Sequence, residues 1–300
     1  MVAEKGVPRL AANASRPVDQ PGAVLVRLDP GGSVVCDPRA PFLRADDLGV
    51  LRGDGVFERF VVDRGRPRHF DEHLARLARS AGLVAIDVPA ASAWRAGVGL
   101  AVDSWNGPEE WEMRLVCTRG PEAGGPPCAY VLGQELSASV LRQREAGVSI
   151  VTVARGLTGG LTDEAPWLLL GVKTLSYAVN MAAKRWAEAR GADDALFVGA
   201  DGVLWEAASS AVIAARDGRL VSPPASLGIL DSISVTRLFE AAEQAGWDVA
   251  RDQVLVDDLY EADGVWLSSS LRFARVHTVD GKALPEASAH EELAALAATS

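Results

Sequence analysis

The sequence predicts an α+β fold in two domains, and three observations point there. Strand signals and helical periodicities are mixed through both halves, with no internal repeat. Residues 136–146 (LSASVLRQREA) interrupt them and read as a connector. With 300 residues and 48% hydrophobic composition, the chain can bury one large core or two of ordinary size. The expected division is a disordered tail over residues 1–20, an N-terminal domain over 21–140 and a C-terminal domain over 141–300.

Residues 1–20 mix Pro, Ala and polar residues without periodicity. Ala23–Leu28 and Ser33–Cys36 read as strands joined by the turn sequence Asp29-Pro-Gly-Gly. Val56–Val62 is a strand ending in the turn Asp63-Arg-Gly. A helix follows from Phe70, with Asp71 as its N-cap and Leu74, Leu77 and Ala81 at helical spacing. Ala90–Trp105 is a second amphipathic helix, and Glu112–Thr118 and Ala129–Gln134 are strands. Val148–Val153 opens the second half as a strand. Thr174–Arg190 is a helix stopped by Gly191. Four short strands follow, Ala195–Val198, Val203–Glu206, Ala211–Ala214 and Leu220–Ser222, with Asp201-Gly and Asp217-Gly as hairpin turns. Ser232–Ala245 is a helix, Val265–Ser268 a strand, and the stretch from Glu286 helical.

Composition narrows the function. The formal net charge is −10 and no Lys/Arg run supplies the basic face that a nucleic-acid binder needs. The longest uncharged run, Ala123–Gln134, is twelve residues, far short of a membrane span. No apolar segment marks a secretory signal near Met1, and Cys36, Cys117 and Cys128 have neither disulfide-framework nor zinc spacing, so a reducing cytoplasm is expected. His69, His73, His277 and His290 form no metal-ligand set and read as structural or solvated, and no metal is expected.

Only four of the 30 basic residues are lysines: Lys5, Lys173, Lys184 and Lys282. Arginine cannot do amine chemistry, so each lysine bears examination. Lys173 is the only charge between Glu164 and Lys184. Burial disfavours an ammonium, and a neutral amine is what Schiff-base chemistry with a carbonyl cofactor requires. An ammonium snorkelling to water is the other reading. Glu206 ends a strand between apolar hairpin segments, as a rim charge or as a partner for something buried. Pyridoxal phosphate (PLP) needs such a lysine, in some folds an acid on its pyridine nitrogen, and amides with a cation for its phosphate. Arg76, beside Leu74 and Leu77, could supply the cation, and the helix start at Ser232–Ser234 the free amides. Three serines after Trp266-Leu could form a second wall.

Six ordered segments carry a resemblance: Arg44-ADDLGVLRGDGVFE, His73-LARLARSAG, Val172-KTLSYAVNMAAK, Gly191-ADDALFVGADGVLWE, Leu220-VSPPASLGILDSIS, and Val265-WLSSSL through Val279-Asp-Gly. Together they resemble the class IV, fold-type IV PLP aminotransferase family, which includes branched-chain and D-amino-acid aminotransferases and 4-amino-4-deoxychorismate lyase. The resemblance implies a two-domain α+β fold with PLP between the domains, in a homodimer. It makes Lys173 the catalytic lysine that holds the cofactor and Glu206 the pyridine-nitrogen acid. Arg76 is the phosphate cation, Ile233 and Ser234 the backbone phosphate cup, and Ser269 or Ser270 its second wall. Tyr177, four residues after the lysine, either faces the cofactor or packs in the core. The sequence departs from the family at Ser210, followed by Ala211 rather than Asn, and at Ser232-Ile-Ser, where relatives often read Gly-Ile-Thr.

Within the family the lyase branch resembles this chain most, through Arg52-GDGVFE, Lys173-TLSYAVN and Met113-RLVCTRG. Arg119, Arg114 and Arg52 are then candidates for the substrate carboxylates, which guanidinium binds bidentately. The implied reaction converts 4-amino-4-deoxychorismate to 4-aminobenzoate and pyruvate. One alternative is an aminotransferase acting on branched-chain or D-amino acids with a 2-oxo acid acceptor. Another is a cofactor-free binding protein, in which Lys173 would face solvent or Glu206 lie far from it. The expected partners are a small carboxylate-bearing amine and a second copy of the chain, with no nucleic acid and no membrane.

Overall fold

Val24, Val26 and Leu28, two residues apart, set one face of a six-stranded sheet against two helices. The computed structural model describes residues 22–300, so the tail expected over 1–20 lies outside the described residues. The N-terminal half runs β1 (Ala23–Asp29), β2 (Gly32–Cys36), α1 (Leu48–Arg52), β3 (Gly55–Asp63), β4 (Arg66–Pro67), α2 (Phe70–Leu83), α3 (Ala91–Ser104), β5 (Glu110–Thr118) and β6 (Cys128–Glu135). The sheet order is β2-β1-β6-β5-β3-β4, every pair antiparallel. Val26, Phe60, Leu77, Trp94, Met113 and Val131 share its buried core with α2 and α3. Burying such side chains stabilises by about 1.5–3 kcal/mol each.

The expected connector contains a helix, α4 (Ala138–Ala146). Ser137 caps it by accepting from Val140 N at 3.3 Å, and Gly147 ends it at φ 81°. Only Gln143 of α4 is buried, so no apolar stripe announced it.

The C-terminal half continues with β7 (Val148–Ala154), α5 (Ala178–Glu188), β8 (Asp194–Val198), β9 (Leu204–Ala207), β10 (Ala211–Arg216), β11 (Arg219–Ser222), α6 (Ile233–Gln244), β12 (Asp248–Arg251), α7 (Val256–Glu261), β13 (Gly264–Ser269), β14 (Arg272–Val279), β15 (Lys282–Ala283) and α8 (His290–Thr299). These strands form a nine-stranded sheet, β12-β11-β10-β13-β14-β7-β8-β9 with β15 on β14. Its pairs are mixed: β7 runs parallel to both β8 and β14, whereas β10 and β13 are antiparallel. Among the described residues no helix is long and apolar enough to cross a membrane.

Two helix starts differ from expectation. α2 begins at Phe70 after His69, whose φ is 50°, and no side chain caps it; Asp71 lies in the first turn and pairs with Arg95 at 2.7 Å. α5 begins at Ala178, four residues later than Thr174. The reason lies in β3. Phe57 N donates to the Lys173 carbonyl at 3.1 Å, and Leu175 N donates to the Gly55 carbonyl at 2.8 Å. Backbone groups paired sideways to a strand cannot also close helical turns. This bridge from β3 fixes the main chain at Lys173.

Candidate active site

A cavity of about 400 Å³ is lined from the first sheet by β3, β5 and β6, and from the second half by residues 206–211, 230–234 and 268–271. Lys173, Glu206, Arg76, Tyr177, Ile233, Ser234, Ser269, Ser270 and Arg114 all line it. Sequence separations of up to about 200 residues collapse into one wall.

Lys173 sits in an aromatic setting. Its Nζ donates to the Tyr177 hydroxyl at 3.2 Å and lies 4.5 Å from the Phe57 ring centroid. Among the described residues no carboxylate lies within ion-pair distance of Nζ. Tyr177 is not one helical turn beyond the lysine, because it precedes α5. Its ring meets Phe57 edge-on at 5.1 Å, so it serves the cavity rather than the core. Glu206 lines the same cavity and accepts from Leu230 N at 3.3 Å. Burial raises the Glu206 pKa, opposed by the Leu230 amide and by the charges of Lys173, Arg155 and Arg76. A carboxylate there could accept an N–H from a protonated ring nitrogen, whose charge would offset the cost of its burial. The conditions for a cofactor-free scaffold, a solvent-facing Lys173 or a remote Glu206, are not met.

Another part of the lining is built for an anion. Arg76 donates from Nε and Nη2 to Glu58, each at 2.7 Å, and from Nη1 to the Asp231 carbonyl at 2.8 Å. One N–H on each terminal nitrogen is left over. α6 begins here. Ser232, at φ −82°, caps Val235 N at 3.3 Å, so this position does not need the glycine common in relatives. The Ile233 and Ser234 amides have no acceptor among the described residues, and the hydroxyls of Ser234, Ser269 and Ser270 line the same wall. A lone amine, a half-buried acid, a guanidinium, free amides and hydroxyls together match the donor set that PLP requires. Ser210 contributes less, because its hydroxyl accepts from Arg272 at 3.1 Å.

The three arginines expected at substrate carboxylates separate. Arg114 lines the cavity. Arg119 does not: it forks onto Asp54 at 2.6 and 3.1 Å and donates to the Val84 and Ala85 carbonyls. Arg52, on α1, lies outside the cavity lining, with its side chain 68% exposed and 4.0 Å from Glu122. The sequence reading missed Arg59, which faces Arg114 across β3 and β5. Arg59 and Arg114 both bind the buried Glu112, Arg114 at 2.7 Å. Two guanidiniums against one carboxylate leave a net positive charge on this wall, and Arg114 Nε is buried without an acceptor. Phe57 and Glu58 were missed as well. The signal for Glu58 was a carboxylate in phase with Val56, Phe60 and Val62, the buried face of β3.

Comparisons with known proteins identify the family. A family model described as amino-transferase class IV matches residues 55–278. The chain is 41% identical over 272 residues to the bifunctional aminodeoxychorismate lyase / D-amino acid transaminase of Mycobacterium tuberculosis, covering 87% of this chain and 94% of that protein. A hypothetical aminotransferase from Mycobacterium tuberculosis in its PLP-bound form superimposes with a TM-score of 0.88 at 40% identity, covering 92% of this chain and 98% of that one. The α-ketoglutarate and PMP bound form of that aminotransferase gives 0.89 at 40% identity, with the same coverage.

Proposed function

This chain belongs to the class IV aminotransferase family, and we propose that it is a lyase converting 4-amino-4-deoxychorismate to 4-aminobenzoate and pyruvate. It is a PLP-dependent enzyme. The observation that carries the proposal is the surplus guanidinium charge of Arg59 and Arg114 on the wall of the cavity that Lys173 also lines, suited to a substrate with two carboxylates. The relative that shares 41% identity and carries a lyase name supports it.

When bound, PLP supplies an aldehyde that captures an amine and a pyridinium ring that withdraws electrons. Lys173 would hold the group, its Nζ being the amine offered to the aldehyde. Nζ is then the base that takes the proton from the substrate carbon bearing nitrogen. The Tyr177 hydroxyl, 3.2 Å from Nζ, steadies the amine. Glu206 would pair with the pyridine nitrogen. Arg76, the Ile233 and Ser234 amides and the serine hydroxyls anchor the phosphate, while Arg59 and Arg114 orient the carboxylates. The substrate's ring C–O bond to its three-carbon side chain breaks as the ring becomes aromatic, and that side chain takes the proton held on Nζ at its methylene carbon and leaves as pyruvate. No water is consumed.

Amino transfer from D-amino acids is the second reading, favoured by the bifunctional name of the same relative. Lys173, Glu206 and the anion wall serve it equally. A homodimer working in the cytoplasm completes the proposal. Val50, Leu51, Trp167 and Val179, large apolar side chains left exposed, offer surface for a second copy. The test is to incubate the PLP-loaded enzyme with aminodeoxychorismate, and separately with D-alanine and 2-oxoglutarate. Equal amounts of 4-aminobenzoate and pyruvate are expected. Amino transfer without 4-aminobenzoate would overturn the lyase reading in favour of the second.

A further inference from the structure

Glu58 is a carboxylate with no exposure, set in the apolar face of β3. Such a group must be paired. Its Oε1 accepts from Arg76 Nε, and its Oε2 accepts from Arg76 Nη2 and His73 Nδ1, all at 2.7 Å. Burial works to raise the Glu58 pKa, but the Arg76 and His73 hydrogen bonds overcome it and bring it to about 2. His73 is fully buried against the Phe60 ring, with centroids 4.9 Å apart. Its other nitrogen, Nε2, lies 3.3 Å from Ser270 Oγ, and Ser270 Oγ lies 3.4 Å from Ser234 Oγ. One hydrogen-bonded chain thus runs from β3 through α2 to the β13–β14 turn and the first turn of α6.

The roles along this chain are fixed by its first member. Burial lowers the His73 pKa, so the imidazole is neutral, and an ionised Glu58 can only accept. Nδ1 therefore carries the proton and Nε2 accepts from the Ser270 hydroxyl. Ser270 in turn accepts from Ser234. The other arm of Glu58 clamps the Arg76 fork, which leaves two N–H groups for the cavity. Buried ion pairs are weak stabilisers compared with apolar packing. Every output of this one lies on the anion-binding wall.

We propose that Glu58 and His73 are positioning residues for the phosphate of the cofactor: Glu58 sets the Arg76 fork and the His73 tautomer, and His73 sets the Ser270 hydroxyl. This rests on the cofactor reading above. The experiment compares PLP with pyridoxal, which has the same ring and aldehyde but no phosphate. Each is titrated into the full-length apo chain and followed by the absorbance of the bound chromophore and by calorimetry. For Glu58→Gln and His73→Gln, PLP binding is expected to weaken about 10- to 100-fold, with pyridoxal binding changed by less than about threefold. Ser270→Ala removes only a partly exposed hydroxyl and carries the test should the buried variants not fold. It should lower PLP affinity selectively, and adding His73→Gln to it should weaken PLP binding less than His73→Gln does alone. Equal weakening of both ligands, or PLP affinity unchanged in the variants while the parent still prefers PLP, overturns the positioning role and leaves the cofactor reading intact. A parent that binds PLP no better than pyridoxal overturns both.

Discussion

Lys173 Nζ and the Tyr177 hydroxyl are 3.2 Å apart, joined across an irregular stretch of chain that the start of β3 holds in place. Removing that hydroxyl alone tests whether it steadies the amine. Tyr177→Phe keeps the edge-on contact with Phe57, so the melting temperature should stay within about 2 °C. The kcat should fall about ten- to a hundredfold. An unchanged kcat would make Tyr177 a packing residue only.

Arg114 and Arg59 share Glu112, and only Arg114 leaves a buried Nε without an acceptor. Arg114→Leu should raise KM for a dicarboxylate such as 2-oxoglutarate about tenfold or more, with a much smaller effect on a monocarboxylate such as pyruvate. Steady-state kinetics on the two acceptors measures the difference. Equal effects on both would remove the carboxylate role from this wall.

Acid should destabilise the protein in two stages. Burial, opposed by Glu58, lowers His73 below its ordinary 6.5, so its share of stability is present above that value and is lost as pH falls below it. Glu58 lies at about 2 rather than 4.5, so its share is present above 4.5 and is lost as pH falls toward 2. Denaturant midpoints should therefore decline below about pH 6.5 and more steeply below about pH 4.5. His73→Gln should flatten the first stage. A residual slope is expected from His69 and His290, which burial also lowers. A slope identical to the parent's would show that His73 does not titrate on unfolding as described.

Arg272 ties three parts of the molecule together. It is buried and binds Asp194 on β8, Gln143 on α4 and Ser210 beside the cavity. Arg272→Leu would strand the fully buried Asp194 carboxylate and should cost about 3–5 kcal/mol in urea unfolding. Converting both partners to apolar residues should recover much of that loss. Destabilisation below about 1 kcal/mol for the single variant would mean that the network bears little weight.

Much of this was legible in the sequence because local signals and tertiary demands agree. Strands such as Val56–Val62 are rich in β-branched and aromatic residues, and Asp201-Gly and Asp217-Gly mark real turns. Lys173 stood out by its isolation in an apolar stretch. The start of α5 was misplaced because the lateral pairing of Lys173 and Leu175 with β3 is set by residues more than 100 positions away. Strands β12 and β14 escaped notice: β12 is only four residues long and charged at both ends, and β14 interleaves Arg, His and Thr with its apolar positions. Arg119 looked like a substrate ligand until Asp54 and two carbonyls were found to occupy it. Arg59 and Glu58 are neighbours on β3; strand phase puts Glu58 on the core face, and the sheet shows that Arg59 meets the cavity. Sequence order brings together neither Glu58 with His73 nor His73 with Ser270, 197 positions apart.

Borohydride reduction of the PLP-loaded enzyme, followed by peptide mapping, tests the central claim most directly, because the chain has only four lysines to choose among. The account predicts that the reduced cofactor is found on one peptide, the one containing Lys173, and that Lys173→Ala takes up no label. Label on Lys5, Lys184 or Lys282 instead, or an unlabelled parent enzyme, would contradict it.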